Sequence, residues 1–474
     1  MTWNTLIDVT RDSGLPLTTQ IQETLKQEIT DGALHPGTRL PSSRQLAEDL
    51  GVSRSVVVEA YGQLIAEGYL EALQGSGTRV APHLSSAHKV PTLLDGGGAP
   101  SVRWDLRTGG AGAGSFPQRE WLAAYQGVLQ RMDRRDFGYP QVSGVPALRG
   151  ELARYLGRVR GVHTTPEHIM VVSGFAQALG LVCAALPQLG IEELGVEEPC
   201  HPQQRQFVAE AGLMPRPVPV DEHGIDVAAL TRTGVRAVLV TATHQFPTGV
   251  TLSPQRREAL ARWAQDVDGW IIEDDYDGDL WLAHGPRPAA LQRQSPDRVL
   301  YAGTTSKSLA PGLRLGWLAV PPRLRDLLEQ IRSQRDLGCE VFTQLTFAEL
   351  LSTGVFDRHL RRQRARFRAR RETLEKGLRT FLPDAGIAGS AAGLHAYVLL
   401  PHRTDEAALT ALALKRSVLV RGGRYCHHRP WQARPALVMG YAAVPRSGVT
   451  EALRVVADAY TELTGRGSRS YRCA

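Results

Sequence analysis

Between His168 and Thr305 the chain repeats one pattern, a short apolar run followed by a polar or amphipathic stretch. The runs read HIMVVSG (168–174), ELGVEEP (193–199), RAVLVTATH (236–244), GWIIEDD (269–275) and RVLYAGTT (298–305). Continuous apolar runs of this length suit strands buried on both faces, and the stretches between them suit helices that do the covering. The pattern predicts a mostly parallel central sheet wrapped by helices, an α/β architecture.

The segment before it obeys another rule. LTTQIQETLKQEITDG (17–32) places Ile21, Leu25 and Ile29 at helical spacing and closes on Gly32. LPSSRQLAEDLGVSRSVVVEAYGQLIAEGYL (40–70) divides at Gly51 into two helices, with Ser42 or Ser43 to cap the first and Ser53 the second. YLEALQGSGTRVAP (69–82) then reads as two short strands joined by a Gly-rich turn. Two helices across a tight turn, followed by such a hairpin, predict a winged helix-turn-helix, whose second helix enters a major groove. AHKVPTLLDGGGAPSVRW (87–104) has the Pro, Gly and polar content of a linker. The expected plan is a DNA-binding domain over residues 10–82, a linker over 83–103 and a larger domain over 104–465.

Composition agrees with two folded domains. A chain of 474 residues is long for one core, and 42% hydrophobic with 22% charged residues excludes a disordered chain. Lys+Arg 55 against Asp+Glu 48 leaves +7, which permits nucleic-acid binding without requiring it. The five cysteines, Cys183, Cys200, Cys339, Cys426 and Cys473, fit neither a disulfide framework nor a zinc site. With no long apolar run, the expectation is a cytoplasmic protein with no membrane span and no bound metal.

In the N-terminal segment, Arg44 opens one helix, and Ser53, Arg54 and Ser55 open the recognition helix, where side chains reach phosphates and base edges. Gly75, Gly77, Thr78 and Arg79 sit in the wing, placed to meet a groove or backbone. The segment resembles the winged helix-turn-helix of the GntR family of bacterial regulators, and LPSSRQLAEDLGVSRSVV carries the likeness. The resemblance implies binding to a double-stranded DNA operator.

Three further pieces follow in order. SGFAQAL (173–179) ends a strand and opens a helix, so the amides of Phe175 and Ala176 can cradle a phosphate. IIEDDYDG (271–278) presents Asp274, Asp275 and Tyr276 at a strand end. GTTSKSLAPGLRLGW (303–317) sets Lys307 among small hydroxyl residues, seven positions before Arg314. A lysine held neutral can form a Schiff base with an aldehyde, and an aspartate can keep a pyridine nitrogen protonated. Together these resemble the fold type I, aminotransferase-like enzymes that use pyridoxal 5′-phosphate (PLP), with a smaller C-terminal α+β subdomain. The resemblance implies Lys307 as the Schiff-base lysine, Asp274 as partner of the pyridine nitrogen and Tyr276 beside the ring hydroxyl. It further implies Thr304, Ser306, Arg314, Phe175 and Ala176 around the phosphate, and Tyr139 reaching the phosphate of a partner subunit.

Three positions depart from that pattern. EEPCHP (197–202) lacks the tyrosine that usually stacks on the ring, which leaves His201 as the ring cover. HQFPTG (244–249) has Phe246 where aminotransferases place an asparagine, leaving Gln245 or His244 as compensating groups. ALVMGYA (436–442) has Val438 where relatives place the arginine that grips a substrate carboxylate, with Arg205, Arg421 and Arg424 as candidate substitutes. The arginine-rich run over 357–378 reads as a solvated helix, or alternatively as a second phosphate-backbone contact through Arg361, Arg362 and Arg364.

A GntR-like segment joined to an aminotransferase-like one resembles the MocR/GabR subfamily of transcriptional regulators. The resemblance implies a homodimeric, PLP-responsive regulator of vitamin B6 genes, as in its PdxR-like members, or of amino-acid metabolism with an amino-acid effector. The alternative is an active PLP-dependent aminotransferase carrying a DNA-binding arm.

Overall fold

The computed structural model describes residues 15–30, 34–73, 77–81, 102–109, 116–283 and 285–465, together with Ile7 and Val9. The chain divides into two compact units, Met1–Ser101 and Val102–Ala474.

The first unit holds α1 (Leu17–Thr30), α2 (Ser43–Leu50), α3 (Arg54–Ala66) and the antiparallel pair β1 (Leu70–Leu73) and β2 (Gly77–Val80). Ile21, Leu25, Leu46, Val57 and Leu64 meet in its core, so the helical spacing seen in the sequence is the buried face. Ser42 caps α2 by accepting from the Gln45 amide at 3.2 Å. Gly51 ends it at φ 63°, a left-handed turn that glycine adopts without steric cost. Ser53 stands at the N-cap of α3, but its hydroxyl does not cap the helix; it pairs with Ser55 Oγ at 2.8 Å. Gly32, the expected end of α1, and Gly75 in the wing lie outside the described residues.

The second unit is built on strands β3 (Trp104–Asp105), β4 (Ile169–Val172), β5 (Glu193–Glu198), β6 (Met214–Asp221), β7 (Gly224–Ile225), β8 (Ala237–Val240), β9 (Trp270–Asp274), β10 (Val299–Thr304) and β11 (Gly316–Ala319). Its eight-stranded sheet runs β4-β11-β10-β9-β8-β5-β6-β7. The neighbours from β10 to β6 pair in parallel, and β11 runs antiparallel between β10 and β4. Alternate residues feed different cores: Val171 and Tyr301 face one layer, Met170, Val172, Leu300 and Ala302 the other. Both faces are covered, which is why these strands read as unbroken apolar runs.

The smaller C-terminal part carries β12 (Gly386–Ala388), β13 (His395–Leu399), β14 (Val418–Leu419), β15 (Arg421–Gly422) and β16 (Ala436–Gly440). Four of them form an antiparallel sheet, β12-β13-β16-β15, while β14 pairs with β3. The arginine-rich run forms the helix Val355–Phe381, and much of it is tied inward. Arg364 donates to the Asp279 carbonyl and Arg368 to that of Leu282, while Arg362 pairs with Glu120 at 3.0 Å. Of the three arginines expected at a backbone contact, Arg362 and Arg364 are therefore engaged within the chain, and Arg361 is exposed.

Candidate functional site

A cavity of about 300 Å³ opens at the carboxyl ends of β8, β9 and β10, the place where α/β sheets hold ligands. Phe175, Ala176, His201, Asp274, Tyr276, Thr304, Ser306, Lys307 and Arg314 all line it. These residues are scattered along the chain from Phe175 to Arg314, and the sheet order gathers them, since it lays the ends of β9 and β10 side by side.

The adjacent carboxylates Asp274 and Asp275 take opposite directions, as neighbouring residues of a strand do. Asp275 turns to the core, where Arg160 Nε donates to it at 2.7 Å and the Tyr301 hydroxyl at 2.6 Å. Asp274 turns to the cavity. Its Oδ2 accepts from Gln204 Nε2 at 2.8 Å, and its buried Oδ1 has no hydrogen-bond partner among the described residues. Burial, followed by the charges of Asp275 and Asp277, holds its carboxyl well above the usual carboxylate range. A cationic N–H donor at Oδ1 would stabilise the charged form that burial disfavours.

Lys307 follows β10 in a tight turn, and its Nζ donates to the Gly109 carbonyl at 3.0 Å. Burial lowers its pKa against the opposing pull of Asp277 and Asp274, which favours the neutral, nucleophilic amine. The Tyr276 hydroxyl donates to the His244 carbonyl at 3.1 Å. Burial and the nearby carboxylates of Asp277 and Asp274 push its pKa well up, so the phenol stays protonated.

The opposite end of the cavity is an anion cradle. The helix Phe175–Ala185 presents its first amides there, unpaired within the helix by construction. Gly174 precedes it at φ 103°, and a Cβ at that position would come within 3.2 Å of Arg314 Nη2, so the glycine leaves room for the guanidinium. Thr304 Oγ1 and Ser306 Oγ lie 2.9 Å apart beside it. Cradle, lysine and unpaired aspartate oxygen share one cavity, and they fit the phosphate, aldehyde and ring nitrogen of PLP.

Some expectations meet a different arrangement. Neither Gln245 nor His244 lines the cavity to replace the missing asparagine. The Gln245 amide donates to the carbonyls of Pro199 and Phe246, each at 2.7 Å, and its Oε1 accepts from Thr248. His244 Nδ1 bonds Asp277 Oδ2 at 2.8 Å, and His395 Nε2 bonds the Pro247 carbonyl at 3.1 Å, which engages a buried trio of metal-ligand type. Phe246 itself lines the cavity, with its ring 5.1 Å from that of His201. His201 also caps the helix Pro202–Glu210 by accepting from the Gln203 amide, and burial lowers its pKa to about 4, so it is neutral.

Val438 is buried and faces Arg421 across the β15–β16 pair. Arg205 is taken by the carbonyls of Cys426 and His427 and by Glu198. Arg421 is exposed, its guanidinium 5.0 Å from the centre of the Tyr425 ring, and Arg424 does not line the cavity. Tyr139 stands outside the cavity, 87% exposed. Gln204, Thr241 and His395 line the cavity without any sequence signal having marked them.

In the first unit Arg44, Ser53, Arg54, Ser55 and Gly77 are exposed, and Thr78 and Arg79 are half-buried. Arg54 Nε bonds Ser43 Oγ at 3.4 Å, joining the first turns of α2 and α3. The Arg39 side chain lies against Gly77, which adds a cation to the wing that the motif reading did not include.

The family model for aminotransferases of class I and II matches residues 111–456, and that for bacterial regulatory proteins of the gntR family matches residues 17–80. The probable rhizopine catabolism regulatory protein MocR of Rhizobium meliloti is 30% identical over 479 residues, covering 97% of this chain and 96% of its own. The HTH-type pyridoxine biosynthesis transcriptional regulator PdxR of Corynebacterium glutamicum is 33% identical over 397 residues, covering 83% and 85%. The kynurenine aminotransferase of Pyrococcus horikoshii, solved in complex with PMP, is alike in fold, with a TM-score of 0.71 at 24% identity over 80% of this chain and 95% of its own. No helix among the described residues is long and apolar enough to cross a membrane.

Proposed function

Because the chain belongs to the MocR-type transcriptional regulators, in which a GntR helix-turn-helix unit precedes an aminotransferase class I and II unit, we propose that PLP held in the large unit sets how the small unit binds its operator. The observation that carries this reading is the unpaired, buried Asp274 Oδ1 in the cavity that Lys307 also lines. When bound, PLP supplies an aldehyde for an amine and an electron-withdrawing ring.

The chain's own residues would divide the work. Asp274, steadied by Gln204, would hold the ring nitrogen and keep its proton in place. Arg314, Thr304, Ser306 and the amides of Phe175 and Ala176 would bind the phosphate. Lys307 would offer its uncharged amine, Tyr276 would stand beside the ring hydroxyl, and Phe246 and His201 would exclude water from the ring. The exposed Tyr139 supports a homodimer in which it completes the partner's phosphate site. On this reading Arg44, Ser53, Arg54, Ser55, Gly75, Gly77, Thr78 and Arg79 contact DNA, in the cytoplasm.

Val438 at the carboxylate-binding position favours PLP itself as the signal over an amino acid, with vitamin B6 genes as targets. Regulation then requires that PLP bind the DNA-competent and incompetent states with different affinity. The test is selection of genomic fragments by the purified protein, with PLP removed and with PLP restored. A discrete operator whose occupancy changes with PLP alone supports the reading. An operator indifferent to PLP would remove the sensor role, and steady release of keto acid from amino acids would favour a working aminotransferase.

A further inference from the structure

The outward face of α3 is not uniformly polar. Val57, Ala60, Tyr61 and Leu64 fill the core side, while Val58 is 50% exposed on the other. Val58 lies one turn beyond Arg54 and Ser55, which share its face at spacings of four and three. One turn further on comes Gly62, and a Cβ there would meet nothing within 4 Å.

Neither residue is explained by the unit's own fold. A mid-helix glycine costs roughly 1 kcal/mol against alanine, and nothing among the described residues packs close enough to require it. An exposed, β-branched valine is likewise a poor choice for helix stability alone. Both make sense where another body comes near: glycine lets the helix approach closely, and valine offers an apolar contact at the point of approach. In the major groove the apolar feature of a base edge is the 5-methyl group of thymine.

We propose that Val58 packs against a thymine methyl group at one position of each operator half-site, which makes it a specificity-determining residue of this chain. Arg54 and Ser55 then supply the polar contacts beside it. The inference rests on the reading of α3 as the helix that enters the groove.

The test uses the full-length protein and the operator obtained by genomic selection. Each thymine is replaced in turn by deoxyuridine, which keeps the base pair and removes only the methyl group. Wild type is expected to bind about fourfold more weakly when the critical methyl is lost, the effect of exposing one methyl-sized group. Val58→Ala is expected to bind the thymine and uracil versions alike at that position, while still responding to changes at bases read by other residues. The inference is overturned if no methyl deletion affects wild type, or if Val58→Ala keeps the same sensitivity at the same thymine. Failure to select any operator is a different result: it removes the DNA-reading conclusion itself, and this one with it.

Discussion

Gln204 Nε2 donates to Asp274 Oδ2 at 2.8 Å, so one carboxylate oxygen is fixed by the helix Pro202–Glu210 and the other is left facing the cavity. Gln204→Leu keeps the size of the side chain and removes the donor. Losing a hydrogen bond to a buried carboxylate costs about 1.5–3 kcal/mol, so PLP affinity is expected to fall by roughly tenfold or more. Titration of the apo-protein with PLP, followed by visible absorbance, measures it.

Gly174→Ala tests the anion cradle. The substitution adds a Cβ at φ 103°, against Arg314 Nη2, so both backbone and guanidinium must shift. A loss of about 1–3 kcal/mol in stability is expected, together with a smaller gain in melting temperature on adding PLP than wild type shows. Thermal denaturation with and without PLP separates the two effects.

Lys307→Met bears on pH. The folded pKa of Lys307 lies below its ordinary value of 10.5, so between those two values the unfolded chain binds more protons than the folded one. In that window, stability of the PLP-free wild type is expected to rise with pH relative to the variant. Chemical denaturation of both proteins across the alkaline range gives the difference.

Arg160 and Asp275 form an ion pair with side chains only 1% and 2% exposed. Removing the cation alone strands a buried carboxylate, so Arg160→Met is expected to destabilise the large unit by about 3–5 kcal/mol. Asp274 makes no hydrogen bond to Arg160 and feels the change only through the Asp275 charge, so PLP binding by the remaining folded fraction should change less than stability does. Denaturant unfolding and PLP titration on one preparation check both halves.

Arg54→Ala is expected to weaken operator binding by about tenfold. If the guanidinium neutralises one phosphate, the slope of log K against log salt falls by about 1. Binding measured at several salt concentrations gives both numbers.

The site was legible where chemistry constrains order along the chain. Lys307, Asp274, Arg314 and the helix opening at Phe175 occupy the ends of separate strands, and their motifs are local enough to read directly. Gln204 was not legible, since a glutamine on a short helix looks like any solvated side chain until the fold brings it to Asp274. Strand β6 was hidden for another reason. Its prolines at 215, 217 and 219 argue against a strand, yet in this register every second residue leaves the pairing with β5 to the residues between them. Gln245 and His244 were placed near the right position by sequence, but hydrogen bonds visible only in three dimensions commit them elsewhere.

Asp274 and Asp275 make the site a matter of parity. Moving β9 by one residue in its register would present to the cavity the carboxylate that belongs with Arg160, and bury without a counter-ion the one that belongs to the ligand. A single inserted or deleted residue within that strand therefore does more harm than most substitutions in it, whereas a change of two residues would restore the facing. Changes in the length of this strand are therefore expected to be tolerated better in steps of two than in steps of one, and better still in the loops at its ends.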